Sequence, residues 1–120
     1  MSKSTHEKGD MGENIAARYL ENHGYEILDR NWRIREGELD LVVRKGGTIV
    51  FVEVKTAYGK AAGSPREWVN KAKQSQIGKI ANAWIAERRP EDCFFRFDVL
   101  ALVKSGAGFK VAHIEDAFRL

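Results

Sequence analysis

Two charged residues stand at one end of an apolar segment that otherwise suits the interior of a sheet. The segment IVFVEVK, from Ile49 to Lys55, predicts a strand that is covered on both faces. Glu53 and Lys55 are two residues apart, so they project from the same face of that strand. Burial of an unpaired charge is costly. The two charges therefore neutralise each other, or the strand has reached water at this point, or they belong to a functional site.

Asp40 is a second carboxylate that the sequence pattern brings close to Glu53. It lies in ELDLVV, a predicted strand that the turn at 46–47 joins to IVFVEVK as a hairpin. Counting back from the turn places position 40 opposite position 53, so the two carboxylates project from adjacent strands. Two such carboxylates repel each other and favour a shared proton or cation, and Mg²⁺ binds carboxylates together with water and phosphate oxygens. The pattern predicts a site for a divalent cation and a phosphodiester, in which Lys55 orients the attacking water or stabilises charge on the phosphate.

Two charged residues on predicted helices face the core instead of the solvent. Glu13 lies three residues before Ala16, on the apolar side of the first helix, and Lys73 lies midway between Val69 and Ile77 in the second. Each has a plainer explanation, because a carboxylate near a helix N-terminus complements the helix dipole and a lysine at the edge of a core extends to water. Glu13 and Lys73 are therefore site candidates, with these structural roles as alternatives.

The remaining polar residues are given less specific roles. Asp98 is expected to pair with Arg96 or with a backbone donor, and His113 to be a hydrogen-bonded strand residue. Glu38 shares a face with Asp40 but stands nearer the turn, where it is expected to be solvated. Three basic residues could contact phosphates, although each is also an ordinary surface residue: Lys60, Arg66 and Lys71.

The pattern of apolar residues predicts a single mixed α/β domain. The predicted elements are a helix over 9–23, strands over 25–35, 39–43 and 48–55, a helix over 64–88, and strands over 94–103 and 109–114. The first strand has an irregular middle at 29–31. Ser64 is expected to cap the second helix, with Pro65 at its first position and Glu67 closing a capping box. Residues 1–8 are expected to be a flexible N-terminus and 9–120 the domain, a sheet with helices packed on it.

Composition excludes several classes of protein. The chain has 20 Lys and Arg against 17 Asp and Glu, a mild positive charge that permits binding to nucleic acid without requiring it. Cys93 is the one cysteine, so no disulfide forms within the chain, and a cytoplasmic location is expected. The chain shows neither the apolar stretch of a signal peptide nor a run long enough to cross a membrane, so no membrane association is expected.

Asp40 followed by Glu53-Val54-Lys55 resembles the Asp…Glu-X-Lys core of the PD-(D/E)XK nuclease superfamily. A more specific resemblance, from about Gly9 to Phe118, is to the YraN family of small bacterial proteins, which is grouped with that superfamily. The matching segments are GE at 12–13, GY at 24–25, NW at 31–32, GELDL at 37–41, FVEVKT at 51–56, KQ at 73–74, RFDV at 96–99 and AF at 117–118. So many matches in order identify the chain as a member of this family.

The resemblance implies a restriction endonuclease-like fold, with a mixed central sheet flanked by helices in the order α-β-β-β-α-β-β. It implies that Asp40 and Glu53 bind Mg²⁺ or Mn²⁺, with the backbone carbonyl of Val54 as a third ligand. The catalytic residues implied by position are Asp40, Glu53, Lys55, Glu13 and Lys73. Two positions depart from the usual pattern: Leu39 replaces the Pro of the superfamily name, and Ala57 replaces an Arg, which weakens a phosphate contact in the loop over 56–64.

Three functions are consistent with these residues. The leading hypothesis is a magnesium-dependent endonuclease that hydrolyses phosphodiester bonds of DNA, branched or damaged structures included. The alternative is a catalytically silent nucleic-acid-binding or adaptor module that keeps the nuclease fold. In the third, the charged cluster only stabilises the core of an assembly component. All three leave open a homodimer or a protein partner.

Overall fold

The computed structural model describes residues 5–57 and 68–120, and for residues 5–10 it describes the backbone alone. Within these two segments the elements are α1 (Thr5–Asn22), β1 (Glu26–Ile34), β2 (Gly37–Lys45), β3 (Thr48–Ala57), α2 (Lys71–Arg88), β4 (Phe94–Ser105) and β5 (Gly108–Ile114). The predicted order of two helices and five strands is confirmed. No helix in the described part of the chain has the length and apolar character needed to cross a membrane.

The five strands form one mixed sheet in the order β1-β2-β3-β4-β5. Only β3 and β4 run parallel among the paired strands of the described chain, and the connection between them contains α2. A parallel pair requires such a crossover, whereas β1, β2 and β3 are joined by tight turns. The fold therefore has the mixed sheet and helical order that the sequence predicts.

Each helix covers one face of the sheet, which explains the continuous apolar run of β3. On the α1 side, Leu20 packs in a cluster with Leu41 and Val50, and on the α2 side Trp84 packs in a cluster with Phe51. Alternate residues of β3 thus enter two separate cores, so both faces of the strand must be apolar. The apolar run of β3 ends at Glu53, the first charged residue of the strand.

The two helices begin at other residues than predicted. The first starts at Thr5, four residues before the predicted start, and residues 1–4 lie outside the described chain. The second starts at Lys71 instead of Ser64, because Asn70 caps it by accepting a hydrogen bond from the Lys73 amide at 2.9 Å. The predicted cap at Ser64 and Pro65 falls outside the described residues. The end of α2 at Arg88 is as predicted, and Arg89 closes it in a left-handed conformation.

Asn70→Ala should lower the free energy of unfolding by about 1 kcal/mol, because the Lys73 amide loses its side-chain acceptor. Urea denaturation followed by circular dichroism measures the change. The matched control is Asn82→Ala, at an exposed position inside α2, which should change stability by less than about 0.5 kcal/mol. Equal effects of the two substitutions would show that the side chain of Asn70 contributes nothing as a cap.

Candidate metal centre

Asp40 and Glu53 lie where the backbone pairing between β2 and β3 ends. The last paired residues of this ladder are Leu41 and Val52, so positions 40 and 53 come next, as the hairpin count predicts. Here a side chain replaces the backbone acceptor: Asp40 Oδ2 accepts a hydrogen bond from the Val54 amide at 2.8 Å. The polar residues of the predicted site therefore occupy the position where the strands separate.

Lys73 reaches this position from α2. Its Nζ atom lies 3.5 Å from Glu53 Oε1, and the side chain of Glu53 is only 17% exposed. Asn70 fixes the first turn of α2, so the same cap that starts the helix also places Lys73. The inward position predicted for Lys73 is confirmed, and the residue is half-buried beside the carboxylates.

Lys55 has a different environment from the one its motif suggests. It is exposed, and with the side chains that the structure describes it forms no ion pair to Asp40 or Glu53. By strand alternation it still projects from the same face as Glu53. Its catalytic role stays a prediction, whereas the ammonium group that contacts the carboxylates is that of Lys73.

Glu13 and Glu38 complete a compact group of carboxylates around Asp40. One carboxylate oxygen from each of the three residues lies within 4.8 Å of the others. Glu13 is only 8% exposed, which confirms its predicted inward orientation on α1. The expectation that Glu38 is solvated is wrong: it is half-buried and accepts two hydrogen bonds from the Arg33 guanidinium, at 2.7 and 3.2 Å. Glu38 lies two residues before Asp40 and so projects from the same face of β2, which indicated in the sequence that it could belong to the site.

The approach of α1 to β3 depends on a glycine. A side chain at Gly12 would place its first carbon 2.9 Å from Thr56 Oγ1, closer than such carbons normally come. Gly12 therefore lets the helix lie against the end of β3, and the next residue, Glu13, enters the carboxylate group. Gly12 thus allows the close contact between α1 and β3, and Glu13 supplies the carboxylate at that contact.

The carboxyl groups are held in a state that favours protons or cations. Burial and the charge of Glu53 raise the pKa of Asp40 to about 7, although the Val54 amide opposes this shift. Burial also raises the pKa of Glu53, against the effect of Lys73. Burial raises the pKa of Glu13, which a hydrogen bond with Asn31 partly offsets and the charge of Asp40 increases. Burial is the largest cause of all three shifts, so each of these carboxyl groups binds a proton more readily than it would in water.

A hard divalent cation fits this set of donors. Mg²⁺ and Mn²⁺ prefer oxygen ligands, and the described group supplies carboxylate oxygens from α1 and from the sheet. The amide of Val54 points to Asp40, and the amide and carbonyl of one strand residue point to the same side. The Val54 carbonyl therefore lies on the side of Asp40, as the predicted third ligand requires.

The basic residues predicted to contact phosphates are only partly described. Lys71 is the first residue of α2 and is exposed. Lys60 and Arg66 lie outside the described residues, as does most of the loop over 56–64, so the predictions for these residues stay untested. Lys71 lies two positions before Lys73, and residues at this spacing project from different sides of a helix.

Asp98 has the structural role that its sequence context predicts. It is 1% exposed, and its two oxygens accept hydrogen bonds from Arg96, both at 2.8 Å, and one from the Asp116 amide at 3.0 Å. His113 Nε2 lies 2.7 Å from Asp98 Oδ2, so it is a hydrogen-bonded strand residue as expected. These contacts join β4 to β5 and to the C-terminal segment.

Comparisons with known proteins give a consistent family. The model of "Uncharacterised protein family UPF0102" matches residues 12–102. A UPF0102 protein of Geobacter metallireducens is 48% identical over 119 residues, covering 98% of each chain. A UPF0102 protein of Frankia casuarinae is 49% identical over 111 residues, covering 92% of this chain and 94% of the relative.

One solved structure is similar over most of the chain. The structure of Pyrococcus furiosus SfsA in complex with Ca²⁺ aligns with 93% of this chain at 19% identity, with a TM-score of 0.43. This chain spans 64% of the length of that protein.

Proposed function

This chain belongs to the UPF0102 family, which is the YraN family that its motifs resemble, and we propose that it is a metal-dependent endonuclease that hydrolyses phosphodiester bonds of DNA. One observation carries the proposal: Asp40 and Glu53 lie half-buried where β2 and β3 separate, and Glu13 and Glu38 place carboxylate oxygens within 4.8 Å of one of Asp40. Such an arrangement opposes folding, because burial disfavours both charges and the charge of Glu53 raises the pKa of Asp40 further. Lys73 pairs with Glu53 and Arg33 with Glu38, whereas Asp40 and Glu13 form no ion pair with the side chains that the structure describes. Unneutralised carboxylates of this kind are typical of functional sites.

Asp40 and Glu53 would hold Mg²⁺ or Mn²⁺, with the Val54 carbonyl as a further oxygen donor. When bound, such a cation withdraws charge from a phosphate oxygen and stabilises the charge that develops during in-line displacement. These donors lie on β2 and β3, and α1 adds the carboxylate of Glu13 beside Asp40, so the packing of the helix on the sheet assembles the site. No single helix or strand provides all the residues of the site.

The side chains around this group supply the other requirements of hydrolysis. Water would attack phosphorus as the bond to the leaving oxygen breaks. The proton released from the water would go to the Glu13 carboxylate, whose raised pKa suits a general base, and the leaving oxygen would take a proton from solvent. The side chain of Lys73 is 43% exposed, so its Nζ can donate to a phosphate oxygen while it stays beside Glu53. Lys55 projects from the same face into solvent, where it contacts a neighbouring phosphate.

Glu53→Gln should lower the rate of DNA cleavage by at least about 100-fold, a loss typical of removing one group that stabilises the transition state. The substrates are supercoiled plasmid, linear duplex and a branched junction, each with Mg²⁺ or Mn²⁺ and with EDTA. The matched control is Asp29→Asn. Asp29 is also half-buried and pairs with a basic residue of α2, Arg88 at 3.0 Å, but at the other end of the helix.

We expect cleavage by the wild type and by Asp29→Asn, and none in EDTA. Cleavage at the wild-type rate by Glu53→Gln, or cleavage that needs no metal, would reject the assignment of the site. Tight binding of DNA by a wild type that cleaves none of the substrates would instead support the non-catalytic binding module.

A further inference from the structure

The irregular middle of β1 places two arginines on the same side of the sheet. Trp32 and Ile34 pack against the α2-side core, so strand alternation turns Arg33 to the α1 side. Arg30 also lies on the α1 side, because its guanidinium donates to the side chain of Asn14 on α1. Regular alternation would put residues 30 and 33 on opposite faces. The left-handed backbone of Asn31, with φ of 50°, interrupts the alternation between them.

These arginines lie next to the carboxylate group. Arg33 donates to Glu38, and Glu38 lies within 4.8 Å of Asp40 and Glu13. β1 is at the edge of the sheet, with β2 as its neighbour, so the arginines border the site on the side that is open to solvent. We call Asn14, Arg30 and Arg33 the β1 rim.

The charges of the β1 rim remain accessible to a ligand. Arg30 is exposed and donates to a neutral amide, so with the side chains that the structure describes it forms no ion pair. Arg33 is paired with Glu38, but its side chain is 75% exposed. An exposed ion pair is weak in water. A strong polyanion can therefore take both guanidinium groups, whose donor geometry matches phosphate oxygens.

We propose that the β1 rim binds the phosphodiester backbone of the cleaved DNA strand, on the α1 side of the carboxylate group. The inference rests on the proposed function, since it assigns the surface that delivers substrate to that site. Its physical basis is charge complementarity: a cluster of carboxylates repels a polyanion unless cations beside it hold the flanking phosphates. Asn14 fixes Arg30 in place without neutralising it, so less side-chain freedom is lost when the phosphate binds.

Arg30→Gln/Arg33→Gln should weaken DNA binding by at least about tenfold near 0.1 M salt, and should reduce the slope of log affinity against log salt by about 1.8, or about 0.9 for each lost phosphate contact. Binding is measured by fluorescence anisotropy with a labelled DNA duplex, in EDTA and in an Asp40→Asn background, where cleavage cannot interfere. Arg30→Lys/Arg33→Lys should lose less affinity and keep the wild-type slope, because it keeps both charges and loses only the fork of donors.

The matched control is Arg89→Gln/Arg119→Gln in the same background. It removes the same charge, and Arg119 is paired with Asp116 as Arg33 is with Glu38, at 2.7 Å and 84% exposed. We expect this control to keep the affinity and the salt slope of the parent. Melting temperatures of both double variants near that of the parent would show that folding is unaffected.

The β1 rim is rejected if both double glutamine variants bind DNA equally well, or if the parent does not bind the duplex at all. Failure of the proposed function is a separate result. If the wild type never cleaves DNA, but affinity for DNA falls only in the Arg30 and Arg33 variants, the endonuclease proposal is rejected and DNA binding by the β1 rim is supported. If the wild type cleaves DNA, but substitution of these arginines does not change DNA binding, the endonuclease proposal is supported and DNA binding by the β1 rim is rejected.

Discussion

Asp40→Asn should abolish DNA cleavage and at the same time raise the melting temperature of the metal-free protein at pH 8. The carboxyl group of Asp40 has a folded-state pKa of about 7, far above its ordinary value, because it is buried and lies beside Glu53. At pH 8 the wild type must ionise this group in an unfavourable place. Asparagine carries no charge there, and its side-chain oxygen can still accept the hydrogen bond from the Val54 amide.

The sign of this effect follows from proton linkage. Between the unfolded pKa and about 7, the native state binds more protons at Asp40 than the unfolded chain does, so stability falls as the pH rises through that window. The advantage of Asp40→Asn should therefore be absent near pH 4 and complete at pH 8. A tenfold difference in proton affinity between the folded and unfolded states corresponds to about 1.4 kcal/mol, and because Glu53 shares part of the effect we expect a gain of about 2 kcal/mol. For a chain of this size that is several degrees.

Thermal melts in EDTA across this pH range test the prediction, with Asp29→Asn as the control. That substitution should lower the melting temperature, because Asp29 accepts hydrogen bonds from Trp84 and Arg88 as a paired carboxylate. Addition of Mn²⁺ should raise the melting temperature of the wild type more than that of Asp40→Asn, since a ligand of the native state stabilises it. An Asp40→Asn protein that is less stable than the wild type at pH 8 would show that this carboxylate is structural.

Local patterns were sufficient for the strands that carry the site. The turn at 46–47 fixes the register of β2 against β3, so the proximity of Asp40 and Glu53 follows from counting. The apolar run of β3 required a cover on both faces, and the two helices provide it. These features depend on residues that are close together in the sequence, so the hydrophobic period and the turn residues are sufficient to predict them.

Features that depend on contacts between distant segments could not be predicted. The sequence pattern predicted a cap at Ser64, but Asn70 starts α2, a cap that the sequence analysis did not identify. Glu38 was assigned to solvent because its position relative to α1 is not encoded in its own strand. Lys73 was predicted to reach the site, but the sequence could not show that it contacts Glu53 while Lys55, in the motif itself, is exposed. The sequence pattern of a strand predicts the face from which a side chain projects. The residue that this side chain contacts depends on how the helices and strands pack together.

Asp98→Ala should cause the largest loss of stability of any substitution considered, about 3–5 kcal/mol, or more than about 10 °C in melting temperature. Burial opposes ionisation of Asp98, yet hydrogen bonds from His113, Arg96 and the Asp116 amide hold its pKa below the ordinary value. Alanine would leave the Arg96 guanidinium half-buried without its carboxylate and the Asp116 amide without its acceptor. The cost of unpaired donors is larger than the value of the bonds themselves.

Two comparisons separate this mechanism from a simple loss of charge. Arg119→Gln breaks an ion pair of similar length on the surface and should cost no more than about 1 kcal/mol. In an Arg96→Met background, Asp98→Ala should cost less than in the wild type, because no guanidinium is left unpaired. The gap between wild type and Asp98→Ala should also narrow at acidic pH, since the stability contributed by a carboxyl with a lowered pKa is lost as the pH falls through that pKa. Equal melting temperatures of Asp98→Ala and Arg119→Gln at pH 7 would mean that the buried network contributes no more than a surface pair. In that case β5 and the C-terminal segment would be held by backbone hydrogen bonds and apolar packing.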